Sequence, residues 1–307
     1  MYSYSIMAGI HKPLIVFSSI SDLMRRLELP KPVHPLAALI NYNEAKISLA
    51  DAGSRVSLDF YKISFKISFK GQVKYGPGYY DFDEGGLAFL APHQIVTMPG
   101  EEGGYEGYSF FFHPDLIKGY PLGNNIAKFG FFSYGVSEAL YLSEKEKRVV
   151  ASLFDAIDNE LNNNTDQFSQ DVLVSQIELL LNYSNRFYHR QFITRRTLYN
   201  DVISQMNNYL SSRIGKGSPL PAVQELSQFL GITPRYLTDL LKSLTGLSAQ
   251  QHIHLSLIEK AKTILSNSTL TVAEIAYELG FEHSQSFSKL FKQKTKLSPL
   301  EYRESFN

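Results

Sequence analysis

The sequence predicts an α+β chain: an N-terminal β-barrel, then an αα-hairpin, then an all-α C-terminal domain with two helix-turn-helix motifs. Three observations predict it. A period-two strand among many Gly/Pro turns fills the first part, the hydrophobic period changes near Ser143, and the last third repeats itself at an offset of 49 residues, Val223 falling on Val272. The corresponding domains are 1–140, 141–200 and 201–307.

The barrel rests on the stretch from about 36 to 132. Tyr61, Ile63, Phe65, Ile67 and Phe69 alternate with Lys62, Ser64, Lys66, Ser68 and Lys70, which predicts one buried and one wet face. Short apolar segments at 79–82, 87–90, 108–112 and 129–132 read as further strands. Gly76-Pro77-Gly78, Gly85-Gly86, Pro99-Gly100 and Gly103-Gly104 punctuate them.

The hairpin begins at Ser143, which forms a capping-box pattern with Glu146; Val149, Leu153, Ile157 and Leu161 then recur every four residues. After Asn162-Asn163-Asn164 a second amphipathic helix carries Val174, Ile177, Leu180, Leu181 and Tyr183 toward Arg186, Arg190, Arg195 and Arg196. Its stripe either pairs with a second copy, through residues 143–190, or covers the barrel.

From Asp201 onward the chain reads as short helices. Val223, Glu225, Leu226, Leu230 and Gly231 align with Val272, Glu274, Ile275, Leu279 and Gly280. After one inserted residue, Leu237, Leu240, Leu241, Lys242, Leu247 and Ser248 align with Phe287, Leu290, Phe291, Lys292, Leu297 and Ser298. Each copy is a helix, a glycine turn and a second helix. Opposite the apolar stripe the first copy offers Arg235, Thr238, Asp239 and Lys242, and the second Ser284, Gln285, Ser288, Lys289 and Lys292. Glutamine pairs with adenine, Arg or Lys with guanine, and Ser or Thr with either; other cations sit on phosphates. A helix over about 249–266 would separate the two readers by roughly 27 Å, close to one turn of DNA.

Charge agrees with this division. Lys+Arg and Asp+Glu number 30 each, but residues 186–307 hold 15 basic and 9 acidic side chains, a net of +6, so the C-terminal part suits a polyanion and the remainder does not. The 44% hydrophobic content excludes a disordered chain. The lack of cysteine excludes disulfides, thiolate nucleophiles and cysteine-held zinc. With neither a signal-like N-terminus nor a run of 18 apolar residues, a cytoplasmic protein is expected.

Residues 223–303 resemble the DNA-binding domain of the AraC family of bacterial transcription regulators. Ile275-Ala276-Tyr277-Glu278-Leu279-Gly280-Phe281, Ser286-Phe287-Ser288-Lys289-Leu290-Phe291-Lys292 and Ser298-Pro299-Leu300-Glu301-Tyr302-Arg303 carry the likeness. The resemblance implies base contacts by Arg235, Thr238, Asp239, Ser284, Gln285, Ser288 and Lys289. Three positions depart from the family pattern: Asp239 where a base is common, Leu257 for a frequent arginine, and Lys296 for a frequent glycine. The first part is similar, more loosely, to the family's cupin-like sensor domain, which implies a barrel able to hold an effector. The expected partners are double-stranded DNA, a second copy of the chain, RNA polymerase and a small-molecule effector, with no membrane and no cofactor.

Tyr61, Phe65, Tyr80, Phe82, Phe89, Tyr108, Phe110 and Phe112 are candidate effector contacts or core; a Lys or Arg at the mouth of such a pocket would favour an anionic ligand. His34, His93 and His113 lie too far apart to read as a metal set, His252 and His254 face different directions on one helix, and Asp81, Asp83 and Glu84 fit a solvated turn. Gly215-Lys216-Gly217-Ser218 lacks phosphate-loop spacing and reads as a flexible linker. No catalytic grouping stands out, so no enzyme is expected. The alternative reading is a cupin-type binding module or enzyme with an accessory helical domain. A fused DNA-repair alkyl transferase is excluded by the missing thiolate.

Overall fold

The computed structural model describes residues 14–45, 54–69, 72–75, 78–81, 85–97, 105–135, 138–163, 166–194, 196–215 and 217–305. It divides into two compact units, Met1–Tyr188 and His189–Asn307. The division falls inside a helix that the two units share.

The N-terminal unit carries β1 (Leu14–Phe17), α1 (Ile20–Arg26), β2 (Ala37–Asn41), β3 (Arg55–Leu58), β4 (Tyr61–Phe69), β5 (Gln72–Tyr75), β6 (Gly78–Asp81), β7 (Gly86–Leu90), β8 (Ile95–Thr97) and β9 (Tyr105–Phe112). Then come α2 (Pro114–Ile117), α3 (Pro121–Asn125) and β10 (Leu140–Tyr141). Five strands form an antiparallel sheet in the order β10-β7-β4-β9-β2; a second sheet is β1-β3-β8, and β5-β6 is a hairpin. The expected division into sheet and helix holds. Among the described residues, however, the sheets do not join into a closed barrel.

Two segments differ from the sequence reading. Phe129–Phe132 belongs to two 3-10 turns, Ile126–Lys128 and Gly130–Ser133, instead of a strand. There Phe131 and Phe132 plug the sheet, their rings 4.3 and 5.5 Å from Phe89. The pair β1 and α1, ahead of the expected barrel, forms because Ser19 accepts the Asp22 N–H and caps the helix.

The alternation in β4 has a different meaning from the expected one. Its odd face packs on helices: Phe65 meets Phe154 at 5.4 Å and Tyr61 meets Phe132 at 5.0 Å. Its even face is only partly open to water: Ser64 is 6% exposed and its cross-strand partner Ser109 2%, while Lys62 and Lys66 are half-buried. Phe111, Ala38 and Ile40, also on that face, join a core with Phe17, Ile20, Val56, Leu58 and Phe60 of the other layer.

The capping box at Ser143 and Glu146 starts α4 (Glu144–Asn162), whose buried stripe is Val150, Leu153, Phe154, Ile157 and Leu161. Val150 thus takes the inward place expected of Val149. The next helix, α5 (Ser169–Thr194), buries Leu173, Val174, Ile177, Leu180 and Leu181, and Tyr188 donates its hydroxyl to the Glu138 carbonyl at 3.0 Å. Both stripes are therefore used within the chain. Phe168, Val172 and Leu179, spaced on one remaining face, are exposed.

Among the described residues no helix is long and apolar enough to cross a membrane, and no three His, Asp or Glu side chains gather as metal ligands. The three early histidines act locally. His34 and His113 accept the Leu36 and Asp115 amides, and His93 lies 3.1 Å from Asp59.

Candidate nucleic-acid interface

The C-terminal unit continues with α6 (Arg196–Arg213), α7 (Val223–Leu230), α8 (Pro234–Thr245), α9 (Ala249–Asn267), α10 (Val272–Glu278), α11 (Ser284–Thr295) and α12 (Pro299–Glu304). Helix α6, 18 residues, begins ahead of Asp201 and is longer than the short helices expected there, while α9, 19 residues, covers the expected 249–266. Both are central supports. Helix α9 packs against α6, α8, α10 and α12, burying Ile253, Leu257, Ile258, Ala261 and Leu265. Leu257, one of the family departures, is thus a core residue.

The two motifs close their turns by the same bonds. Gly231 and Gly280 have φ of 68° and 91°. The following amides, of Ile232 and Phe281, donate to the Ser227 and Ala276 carbonyls at 3.1 and 2.9 Å, which is the six-to-one closure of a left-handed helix end. Thr233 accepts the Tyr236 amide and Pro234 opens α8, as the sequence suggests.

The correspondence continues beyond the second helices. Thr245 and Thr295 donate to the Leu241 and Phe291 carbonyls at 2.7 and 2.8 Å, and accept the Leu247 and Leu297 amides. Ser248 with Gln251, and Ser298 with Glu301, then form capping boxes. The Ser298 amide holds the Glu301 carboxyl below its usual range.

At the end of α11 the copies differ. Gly246 caps α8 at φ 78°, whereas Lys296 caps α11 at φ 70° and carries a Cβ into the left-handed region. Lys296→Gly is expected to stabilise the chain by about 1 kcal/mol, read as a higher urea midpoint. A lower midpoint would contradict the strain.

The structure sorts the nine candidate contacts into two groups, each away from a buried stripe. In α8, Tyr236, Leu237, Leu240 and Leu241 are buried, Arg235 and Lys242 exposed, and Thr238 and Asp239 half-buried. In α11, Phe287 and Phe291 are buried; Gln285, Lys289 and Lys292 are exposed, with Ser284 and Ser288 half-buried. The groups are electrostatically unlike. Arg235 donates Nε to Asp239 Oδ2 at 2.9 Å, one helical turn away, so the guanidinium of the first motif is tied to its own helix. Helix α11 carries Lys289, Lys292 and Lys294 and no acid.

Two supports escaped the sequence reading. Arg303 donates Nε and Nη2 to the Leu265 and Leu270 carbonyls at 3.3 and 2.6 Å, closing the end of α9. Gly217 and Ser218, read as flexible linker, are pinned: the Gly217 amide donates to the Glu278 carbonyl at 2.9 Å, and the Ser218 carbonyl lies where a Cβ on Gly280 would be. No local pattern announces either contact, since both join distant segments.

The candidate effector contacts lie elsewhere, in the N-terminal unit. Phe65, Phe89, Phe110 and Phe112 are buried. Tyr61 stacks on Phe112 at 4.8 Å, and Tyr108 lies 6.3 Å from Phe154. Burial raises the Tyr61 phenol. Phe82, Asp83, Glu84 and the side chains of Tyr80 and Asp81 lie outside the described residues.

Comparison with known proteins adds four findings. The family model described as a helix-turn-helix domain matches residues 226–305. The uncharacterized HTH-type transcriptional regulator YijO of Escherichia coli is 32% identical over 84 residues, which are 27% of this chain and 30% of that protein. Among solved structures, the C-terminal domain of the two-component response regulator yesN from Fusobacterium nucleatum is similar at 26% identity, covering 34% of this chain and 98% of that one, with a TM-score of 0.31. A transcriptional regulator of Chromobacterium violaceum, described by its AraC-type DNA-binding domain, is similar at 16% identity, 36% and 96% coverage and a TM-score of 0.33. The chain spans less than a third of the length of the curated relatives it matches.

Proposed function

We propose that this chain, whose C-terminal region is an AraC-type helix-turn-helix domain, is a sequence-specific DNA-binding transcription regulator. The observation that carries the reading is the twofold helix-turn-helix, repeated down to its turn bonds and caps, with a polar face left on each second helix. Helices α8 and α11 enter successive major grooves ~34 Å apart. Helix α9, 19 residues and roughly 28 Å long, is the spacer between the motifs.

The second motif is the stronger reader. Gln285 contacts a base edge, Ser284 and Ser288 accept or donate beside it, and Lys289 and Lys292 meet guanine or phosphate. In the first motif, Thr238 and Lys242 contact DNA directly, while Arg235 must leave Asp239 before it reaches guanine. Asp239 either accepts from cytosine or only holds Arg235 in place.

Selection of bound duplexes from a random pool by the full chain tests the proposal. Two enriched blocks about one helical turn apart support it; no preference among duplexes at physiological salt counts against it. Within an enriched site, Gln285→Ala is expected to relax one position, at about 1–3 kcal/mol of discrimination, while Lys292→Ala weakens all sequences alike and reduces the salt slope by about one. Equal effects of the two on every sequence would contradict the assignment.

The regulator acts as a homodimer through residues 143–190. With the inner stripes of α4 and α5 already buried, the seam falls on Phe168, Val172 and Leu179. Sedimentation of Leu179→Glu is expected to show monomer where the parent shows dimer, and an unchanged dimer would move the seam elsewhere. A signal received by the N-terminal unit shifts the population of DNA-competent molecules.

A further inference from the structure

We propose that Asp239 makes the first motif a conditional reader: on non-cognate DNA its carboxylate keeps Arg235 from the phosphates, and the pair opens only over a site that offers guanine to Arg235 and a cytosine amine to Asp239. The inference deepens the regulator reading and rests on it.

Helix α8 spaces Arg235, Asp239 and Lys242 so that all three share one face, opposite the buried Tyr236, Leu237, Leu240 and Leu241. On that face Arg235 donates Nε to Asp239 Oδ2 at 2.9 Å, with the side chains 45% and 23% exposed. The carboxylate is therefore the more enclosed member of the pair, and the guanidinium is the one able to swing outward. Across α8 and α11 Asp239 is the sole acidic side chain. The corresponding face of α11 presents Gln285, Ser288, Lys289 and Lys292 without any restraint of this kind.

What each exchange leaves behind decides when the pair opens. A phosphate that takes the guanidinium replaces one anion with another and leaves Asp239 facing a polyanion. Such an exchange gains little. Guanine is different, because its O6 and N7 accept both arms of the arginine fork without adding a charge, and the exposed pair they replace is a weak one. A cytosine N4 amine nearby then donates to the released carboxylate. Both freed groups are satisfied, and Asp239 stays within the groove instead of meeting phosphate. The four-residue separation, roughly 6 Å along the helix axis, suits bases on neighbouring pairs. Until such a site is found, attraction to DNA comes chiefly from the lysines of α11, and the first motif adds discrimination without adding general affinity.

The test measures binding of the full chain, Asp239→Asn and Asp239→Ala to a selected duplex and to a scrambled one of equal length, over a range of salt. Asparagine keeps the shape of the side chain, so a folding defect confined to the alanine variant does not decide the result. Both variants are expected to bind the scrambled duplex at least about threefold more tightly, with a salt slope steeper by about one, because the freed Arg235 gains a phosphate. Preference for the selected duplex falls by at least the same factor, with the loss concentrated at guanine and cytosine positions of one block. In an Arg235→Met background the same changes should leave the slope where it was, since no cation remains to be released. A slope that steepens there as well would show simple charge repulsion and overturn the pairing. A selective parent whose variants keep its scrambled-duplex affinity and its preference overturns the inference and leaves the regulator standing. A parent that does not distinguish the two duplexes sinks the regulator reading, and the inference with it.

Discussion

Gly280→Ala is expected to destabilise the C-terminal unit by about 3–4 kcal/mol, and Gly231→Ala, at the same place in the first motif, by only about 1 kcal/mol. Both glycines hold positive φ, so both substitutions strain the backbone. Only at Gly280 does the added methyl also collide with backbone, the Ser218 carbonyl oxygen, while nothing lies within 4 Å of a Cβ on Gly231. Because Gly217 is bonded to Glu278 in the same corner, the intruding methyl must break that bond or move α10. Urea unfolding of the full chain, with hydrogen exchange followed in α10 and α11, measures the difference. Equal costs at the two glycines would mean that the 217–218 segment yields freely, and the pinned corner would be wrong.

Lys66→Met is expected to stabilise the N-terminal unit at pH 7 by on the order of 3 kcal/mol, an advantage that disappears toward pH 10.5. The folded-state Lys66 titrates at about 8, below its ordinary 10.5. Below pH 8 the folded chain carries a charge it disfavours. Between those two values the unfolded state still holds the proton that the folded state has released, so stability of the parent rises with pH relative to the variant. Lys62 on the same strand is the charged neighbour that lowers it further. Stability measured at pH 7, 8, 9 and 10 decides it: parallel curves for parent and variant would show that Lys66 is not burdened by its surroundings.

The C-terminal motifs were legible because their determinants are local. Gly231, Gly280 and Thr233 before Pro234 each act within five residues, as does the Ser143 box of the N-terminal unit, and caps and turn glycines carry their geometry in their own chemistry. The nine candidate contact positions could be named from helical period alone, since a buried stripe fixes the face that remains. Asp239 could be named too, but not its bond to Arg235, which depends on rotamers one turn apart.

The N-terminal part was legible in class and misread in detail. Lysine and serine alternating along β4 determine a strand; by themselves they also suggest water. Whether a polar face meets solvent depends on a second layer assembled from β1, α1, β3 and β8, tens of residues away, and no period within β4 contains that information. For the same reason the aromatic surplus did not reveal which face it fills, nor did Phe129–Phe132 reveal that it turns instead of extending. The sequence alone determined the element types, the turns and the repeat, all set by bonds between near neighbours. Tertiary structure decided which faces are enclosed, that Ser218 seals the Gly280 turn and that Arg303 closes α9, because those outcomes follow from packing between segments far apart along the chain.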